Sequence, residues 1–482
     1  MTLRPAYTFA PSALLIALLV GAVGGCASLD AGPDVARASA TIAERAGVAT
    51  GWDAPWPREL EEWDGASPLS MERAVVLALK NNREIRREVE LIAANRADLV
   101  QAGLLPNPVL AMALRFPIDP VKGYSQAGAS VVQELVALWL RPQRIRSSEA
   151  RLNEAVLTLS DRALRLVADV KQSHASIVFL QRAADLTRQS LATVDRSIGV
   201  LQRRIQGGEG TNLDVNRARQ QRLVLEADLK RQERDLAKQK RVLLQLVGFA
   251  AIRADWTAAD SAPAGETEHE PVLPALLEEA AVISLAGEQR LDVAAARAVV
   301  EANAANLRIE ELSRVRNLAL DASFEETEDR GRYLGPQVEV GIPIFDFNQA
   351  QISKAGSFAR ASLINYEATV QRAVAQARGA YVEARASADI ADLYRHQVLT
   401  LAEDNLRLAE STLKSGKDDV TVLLTAQQAV VEARQALNGL RLDAALARIE
   451  LEYAVGGRLA PPTASPVTPA EGPAAAKPGS TP

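Results

Sequence analysis

The side chains best suited to chemistry are sparse in this chain. Its three histidines, His174, His269 and His396, lie far apart and form no metal-ligand spacing. Cys26 is the only cysteine, which excludes a disulfide framework and a cysteine zinc site. There is no nucleophile elbow and no phosphate loop, and carboxylates in the helical stretches recur at solvent-face spacing. No catalytic residue, cofactor or metal ligand is expected. The formal charge of −5 offers no basic field for nucleic acid. What remains is chemistry of position: a cysteine closing an apolar leader, short polar strand faces, and glycine turns between long helices.

The leader positions the cysteine. Arg4 is followed by an eleven-residue apolar run, Ala13 to Val23, too short to be read as a spanning helix. It ends at Val23-Gly24-Gly25-Cys26, which resembles a bacterial lipobox; residues 1–25 read as a lipoprotein signal and Cys26 as the lipidated residue. Several acyl chains, each adding roughly 0.8 kcal/mol per buried methylene, suffice for stable anchoring. Ala27 follows the cysteine. By similarity to enterobacterial lipoproteins, the absence of Asp there points to the outer membrane.

The helices that must carry the rest come in two copies. At an offset of 208 residues Ile85 matches Val293, Asn95 matches Asn303, Gly208 matches Gly416, Gln220 matches Gln428, and Val247-Gly248 matches Val455-Gly456. A constant offset over most of the chain marks a tandem repeat. Residues 67–248 form the first unit and 273–457 the second. Residues 26–66 read as an irregular lipidated linker, 249–272 as a polar linker, and 458–482 as a disordered Pro/Ala-rich tail. Trp52, Trp56 and Trp63 are expected to pack against the helical body. Only 4% of the residues are aromatic, which disfavours an all-β fold.

Each unit reads helix, strand pair, long helix, glycine turn, return helix. The first helices are expected over 70–102 and 273–312, the long ones over 143–206 and 349–414, and the return helices over 212–247 and 420–455. Leu191, Val194, Ile198, Leu201 and Ile205 form a heptad seam, as do Val430, Ala433, Leu437, Leu440, Ala444, Ala447, Leu451 and Ala454. Heptads alone also fit a helix-bundle core. Length separates the two: 143–206 would run about 95 Å at 1.5 Å per residue, longer than a compact domain, and so implies a rod or tube.

Four strands are expected, over 109–116, 127–135, 317–326 and 337–346. Leu110, Met112, Leu114 and Phe116 share a face opposite Ala111, Ala113 and Arg115. Leu318, Leu320, Ala322 and Phe324 oppose Asp321, Ser323 and Glu325, and Val338, Val340, Ile342 and Ile344 oppose Glu339. Such alternation is the mark of a transmembrane barrel strand, and equally of a soluble amphipathic hairpin. Four strands cannot close a membrane barrel, and open edges in lipid cost several kcal/mol per unsatisfied group. Membrane strands therefore require several copies, with Arg115, Asp321, Glu325 and Glu339 toward a shared lumen.

The order of elements, the lipobox and certain local motifs resemble the TolC family of outer-membrane efflux proteins. Gly-Leu-Leu-Pro-Asn-Pro at 103–108 enters the first strand, and Gly-Ile-Pro-Ile-Phe-Asp-Phe-Asn at 341–348 leaves the last. Gln133-Glu134-Leu135, followed by Arg144, is similar to the heavy-metal efflux branch. The turn from Gly208 through Thr211 to Asp214-Val215 is similar to the family's helical tip. The resemblance implies a mainly α fold with a transmembrane β-barrel contribution: two tandem repeats, coiled-coil helices forming an α-helical tunnel, and four strands per chain in a barrel shared by a homotrimer. It also implies a Gram-negative outer-membrane duct reaching into the periplasm. Its implied partners are outer-membrane lipid, a periplasmic adaptor (membrane fusion) protein and an inner-membrane pump of the RND type. Adaptor docking would fall to Gly208, Thr211, Asp214, Gly416 and Thr421. Val422 stands where the family usually has Asp, and Thr425 where some members carry a second acid. Asp214, Asp418 and Asp419 are then the candidates for a constricting aperture. A periplasmic adaptor lipoprotein is the alternative reading, but the repeat and its two strand pairs argue against it.

Overall fold

In the computed structural model of the chain the described residues are 28–52, 62–116, 118, 125–208, 211–250, 255–259, 278–315, 317–327, 331–414 and 420–459. Cys26, Gly416, Asp418, Asp419 and Trp56 lie outside them, as do most of the expected tail and the later part of the 249–272 linker.

The first expected helix is two helices, α2 (Met71–Asn81) and α3 (Arg83–Gly103), preceded by α1 (Gly32–Ala46). Asn82 makes the break. Its backbone is extended (φ −63°, ψ 124°), and its Oδ1 accepts from the amides of Glu84 and Ile85 at 2.9 and 3.3 Å, capping α3. In the second unit, α6 (Glu279–Gln289) and α7 (Leu291–Leu312) are parted in the same way at Arg290, 208 residues on. Periodicity continues smoothly through both bends, so it gives no warning of them.

Helix α4 (Val136–Gln206) has 71 residues, about 105 Å at 1.5 Å per residue. It starts seven residues before the expected boundary, with Pro142 in its second turn, on an exposed stretch. The return helix α5 (Asn212–Val247) matches its expected limits. In the second unit the long helix is α8 (Gln349–Leu393), a π turn at Tyr394–Val398, and α9 (Leu399–Lys414), followed by α10 (Val420–Ala454). The seam residues Val430, Ala433, Leu437, Ala447, Leu451 and Ala454 are all buried.

Strands β1 (Val109–Arg115), β2 (Gln126–Glu134), β3 (Leu318–Glu326) and β4 (Arg332–Val340) form one antiparallel sheet in the order β1-β2-β3-β4. The fourth differs from expectation: it begins five residues earlier and stops at Val340. Pro336 sits within it, which an edge strand tolerates. Pro343, with no N–H, lies just past its end, after the Gly341 amide has closed onto Asn317 O at 2.8 Å.

Helix α4 is the spine. Near the sheet α3 and α7 flank it, with α8 beyond α7; toward the tips α5 and α10 flank it, with α8 and α9 beyond α10. Each unit thus contributes to one continuous layer; the largest core cluster gathers α1, α2, α3, the end of α5 and Trp256 around the middle of α4, and a second lies among α6, α8 and α10.

Two segments read as irregular are packed instead. Pro33 starts α1 and left-handed Gly47 ends it. Asp34, buried, pairs with Arg37 and with Arg96 of α3, both at 2.8 Å. The start of the 249–272 linker is a strap: Trp256 is 1% exposed, Trp63 meets it edge-on at 5.7 Å, and Leu69 pairs with Ala258 in a short parallel bridge. Burial of the indole, absent from a composition reading, fixes it there. Trp52 is buried and donates to Leu79 O at 2.9 Å.

Candidate functional site

The sheet brings residues distant in sequence onto two opposed faces. Pairing Leu110 with Val131, Met112 with Ala129 and Leu114 with Ala127 puts these on one side. Val131 pairs with Ala322 and Ala129 with Phe324. Ala322 pairs with Pro336, Phe324 with Leu334 and Leu320 with Val338. This face is apolar over nearly its whole width and uncovered: Met112 is 77% exposed and Leu334 76%. An apolar patch of this extent on a folded protein marks a contact with lipid or protein.

The opposite face carries Arg115, Gln126, Ser130, Asp321, Ser323, Glu325, Gln337 and Glu339, since strand residues alternate. All four residues expected at a lumen therefore share a face. Arg115 donates to Glu325 Oε1 at 2.9 Å across the intervening strand. Gly128, which pairs with both Ala113 and Glu325, leaves the gap the arginine crosses. One buried carboxylate oxygen, Asp321 Oδ1, has no hydrogen-bond partner in the protomer.

At the far end, α4 and α5 reverse through Gly208, whose φ of 82° falls in the left-handed region that suits glycine. Thr211 and Asp214 make a capping box: the Asp214 amide donates to Thr211 Oγ1 at 3.3 Å, and the Thr211 amide and hydroxyl donate to Asp214 Oδ2 at 3.2 and 2.6 Å. Asp214 Oδ2, the Asp214 amide and its place in the first turn are thus committed to the cap. Leu201, Val215 and Ala218 pack with Leu413 and Leu424, joining this tip to the second. Thr421 lies in the first turn of α10, where its carbonyl accepts from Thr425 Oγ1 at 2.9 Å; Val422 is exposed.

Residues 282–457 match the family model described as outer membrane efflux protein. Over almost the whole chain the sequence is similar to the outer membrane protein OprJ of Pseudomonas aeruginosa, 27% identical over 93% of this chain and 96% of that one. It is also similar to the cobalt-zinc-cadmium resistance protein CzcC of Cupriavidus metallidurans, 24% identical over 79% and 87%. Among solved structures the fold resembles CusC (TM-score 0.67, 17% identity, 84% of this chain and 96% of that one). It also resembles the open state of the Neisseria gonorrhoeae MtrE outer membrane channel (TM-score 0.63, 18% identity, 80% and 89%). The second unit thus matches the family model, and over most of its length the chain is similar to outer membrane efflux proteins.

No helix among the described residues is long and apolar enough to cross a membrane. The described residues also contain no group of three or more His, Cys, Asp or Glu side chains placed to hold a metal.

One polar cluster is not marked by the periodicity or motifs of the sequence. At the bend between α6 and α7, Arg290 is buried and donates to both oxygens of Asp292, at 2.9 and 2.7 Å, and to Gln376 of α8 at 2.8 Å. Its guanidinium lies 5.6 Å from the Tyr453 ring centroid. Arg165 of α4 covers the same ring at 5.0 Å and pairs with Glu450 and Asp169, each at 3.0 Å. Asp161 of α4 accepts a hydrogen bond from the Tyr453 hydroxyl; burial, then the Asp292 charge, pushes its carboxyl up to about 6. Burial and Asp161 push the Tyr453 hydroxyl up to about 12. The repeat offset is the signal that could have found it: Arg290 and Tyr453 stand where the first unit has Asn82 and Gln245.

Proposed function

We propose that this chain is the outer-membrane duct of a tripartite efflux system, a homotrimer that passively conducts cargo from a periplasmic adaptor and an inner-membrane pump to the exterior. The observation that carries this reading is the agreement between sheet and helices about where the protomer is unfinished. Strand β1 leaves an open edge on the side of α3 and α5, and β4 leaves one on the side of α8 and α9. Exposed apolar side chains stand on both flanks, among them Leu91 and Leu223 on one and Ile364, Val382 and Leu408 on the other. Edges that differ must meet head to tail, and a head-to-tail contact that closes makes a ring. In lipid closure is obligatory, because an open edge has no water to satisfy it. Three sheets of four strands then make one twelve-stranded barrel.

In that barrel the apolar face meets lipid, and Arg115, Asp321, Glu325 and Glu339 line the lumen. The Arg115–Glu325 pair cancels within each protomer, leaving Asp321 and Glu339 as carboxylate rings that favour cations modestly. Cys26 carries the lipid anchor. The tips at Gly208, Thr211 and Asp214, and at Gly416 and Thr421, dock the adaptor, and Asp418 and Asp419 supply the aperture charge. Asp214 is assigned to the cap rather than the aperture, since its carboxylate is already engaged. Membrane fractionation after cysteine cross-linking tests the reading: Leu110→Cys in β1 with Val338→Cys in β4 should give an outer-membrane species that stops at three chains. Monomers in the soluble fraction would overturn it.

A further inference from the structure

The two units build the same corner twice and hold it by different chemistry. In each, a return helix ends on a left-handed glycine, Gly248 (φ 88°) or Gly456 (φ 86°). Its position leaves no room for a side chain, because a Cβ would lie 2.9 Å from Asn81 O or Gln289 O at the bend. At the first corner the bend is held by a neutral amide: Asn82 Nδ2 donates to Leu246 O at 3.1 Å. At the second it is held by the buried guanidinium of Arg290 and its partners. The residues at the repeat offset from Asp161, Arg165 and Asp169 are Thr369, Ala373 and Ala377, none of them charged. The bend of the first corner is therefore held without a guanidinium cluster, and the charges around Arg290 in the second copy serve something else.

Those charges do not balance around Asp161. From α7 it faces Arg290 and Asp292, but Arg290 is already held by both Asp292 oxygens. From α10 it faces the Tyr453 hydroxyl, while Glu450 of that helix is taken by Arg165, which also pairs with Asp169. On its own helix Arg162 is engaged by Glu88 of α3, and Lys171 by Glu452 of α10. Helix α8 presents only the Gln376 amide, already bonded to Arg290. From α1, Arg45 reaches the corner but spends its guanidinium on Gln289 O and Gly456 O. Asp161 is thus a carboxylate with one hydroxyl donor and no cation of its own, next to another carboxylate.

We propose that this corner is a proton-responsive joint between the two units: a proton gained by Asp161 tightens the α6–α7 bend and the end of α10 against α4, and its loss loosens them. The direction follows from linkage. A carboxyl whose affinity for protons is higher in the folded state contributes stability below its unfolded value, 3.8, and loses it as pH rises through its folded value, about 6. Between pH 5 and pH 7.5 the folding equilibrium should weaken about tenfold from this group alone.

The test needs neither export nor an adaptor, so it stands apart from the assignment as a duct. Thermal loss of helical circular dichroism is followed for the full chain in detergent from pH 4.5 to 7.5. The wild type should become less resistant as pH rises and level off just above pH 6; a flat profile overturns the proposal. Asp161→Asn should be as resistant at pH 7.5 as at pH 5. A pH dependence that persists in it also overturns the proposal. Asp292→Asn removes the repelling charge and frees Arg290, so the fall should level off at lower pH than in the wild type; an unmoved levelling point counts against the joint.

Discussion

At the scale of single residues, the chain separates chemistry that holds the fold from chemistry that faces the cargo. Gly456 belongs to the first kind: its left-handed backbone and the carbonyl of Gln289 both exclude a side chain. Gly456→Ala should cost upwards of 1 kcal/mol, read as a fall in melting temperature, whereas Gly439→Ala, with open space around it in α10, should be neutral or stabilising. Asp321, on the polar face of the sheet, is proposed for the second kind. Asp321→Asn should leave outer-membrane levels unchanged and lower cation preference, measured as the reversal potential of planar bilayers under a salt gradient. An unchanged reversal potential would remove Asp321 from the conduction path. Both residues could be read in the sequence, Asp321 from alternation and Gly456 from the repeat. The ion pair between Arg115 and Glu325 could not, because it depends on Gly128 lying between them, and register fixes that only once the strands pair.

At the scale of elements, the strands and the bends behave differently toward sequence reading. The first three strands lie within a residue of their expected limits; for β1 and β3 this is because alternation of period two is a local property, whereas β2 alternates poorly. The fourth shifted because a proline at an open edge is tolerated where a proline in a central strand is not. The face assignment itself is testable: Leu114→Arg or Leu320→Arg places a cation on the lipid side, at about 2–4 kcal/mol near mid-bilayer, and should abolish stable insertion. Equal outer-membrane amounts of these variants and wild type would reverse the faces. The bends at Asn82 and Arg290 were invisible to periodicity, since the apolar stripe runs straight through them. They are set by tertiary contacts, a side-chain cap in the first unit and a buried ion cluster in the second. Asn82→Ala should cost about 1 kcal/mol through loss of the cap, again read as melting temperature. The 71-residue α4 needed no such contacts to be recognised, only its length.

At the scale of the whole molecule, one protomer is a fragment of a wall. Its sheet has two open edges and a bare apolar face, its helical layer is open along the same two sides, and both defects vanish together if copies close into a ring. At the opposite end the first tip turns at left-handed Gly208, with the Thr211–Asp214 box securing the returning helix. Docking of an adaptor there makes a distinct claim from capping. A bulky replacement of Gly416 should give abundant trimers that neither export nor cross-link to the adaptor. Normal export by abundant mutant trimers would move docking elsewhere. The central claim is that the polar face of the shared barrel is the conducting surface, and charged thiol reagents in planar bilayers test it most directly. Asp321→Cys and Leu320→Cys are neighbours on opposite faces of β3. We predict that a negatively charged methanethiosulfonate changes the conductance of Asp321→Cys channels stepwise and leaves Leu320→Cys channels unaltered. Modification confined to Leu320→Cys, or the absence of any conductance from either protein, would contradict the account.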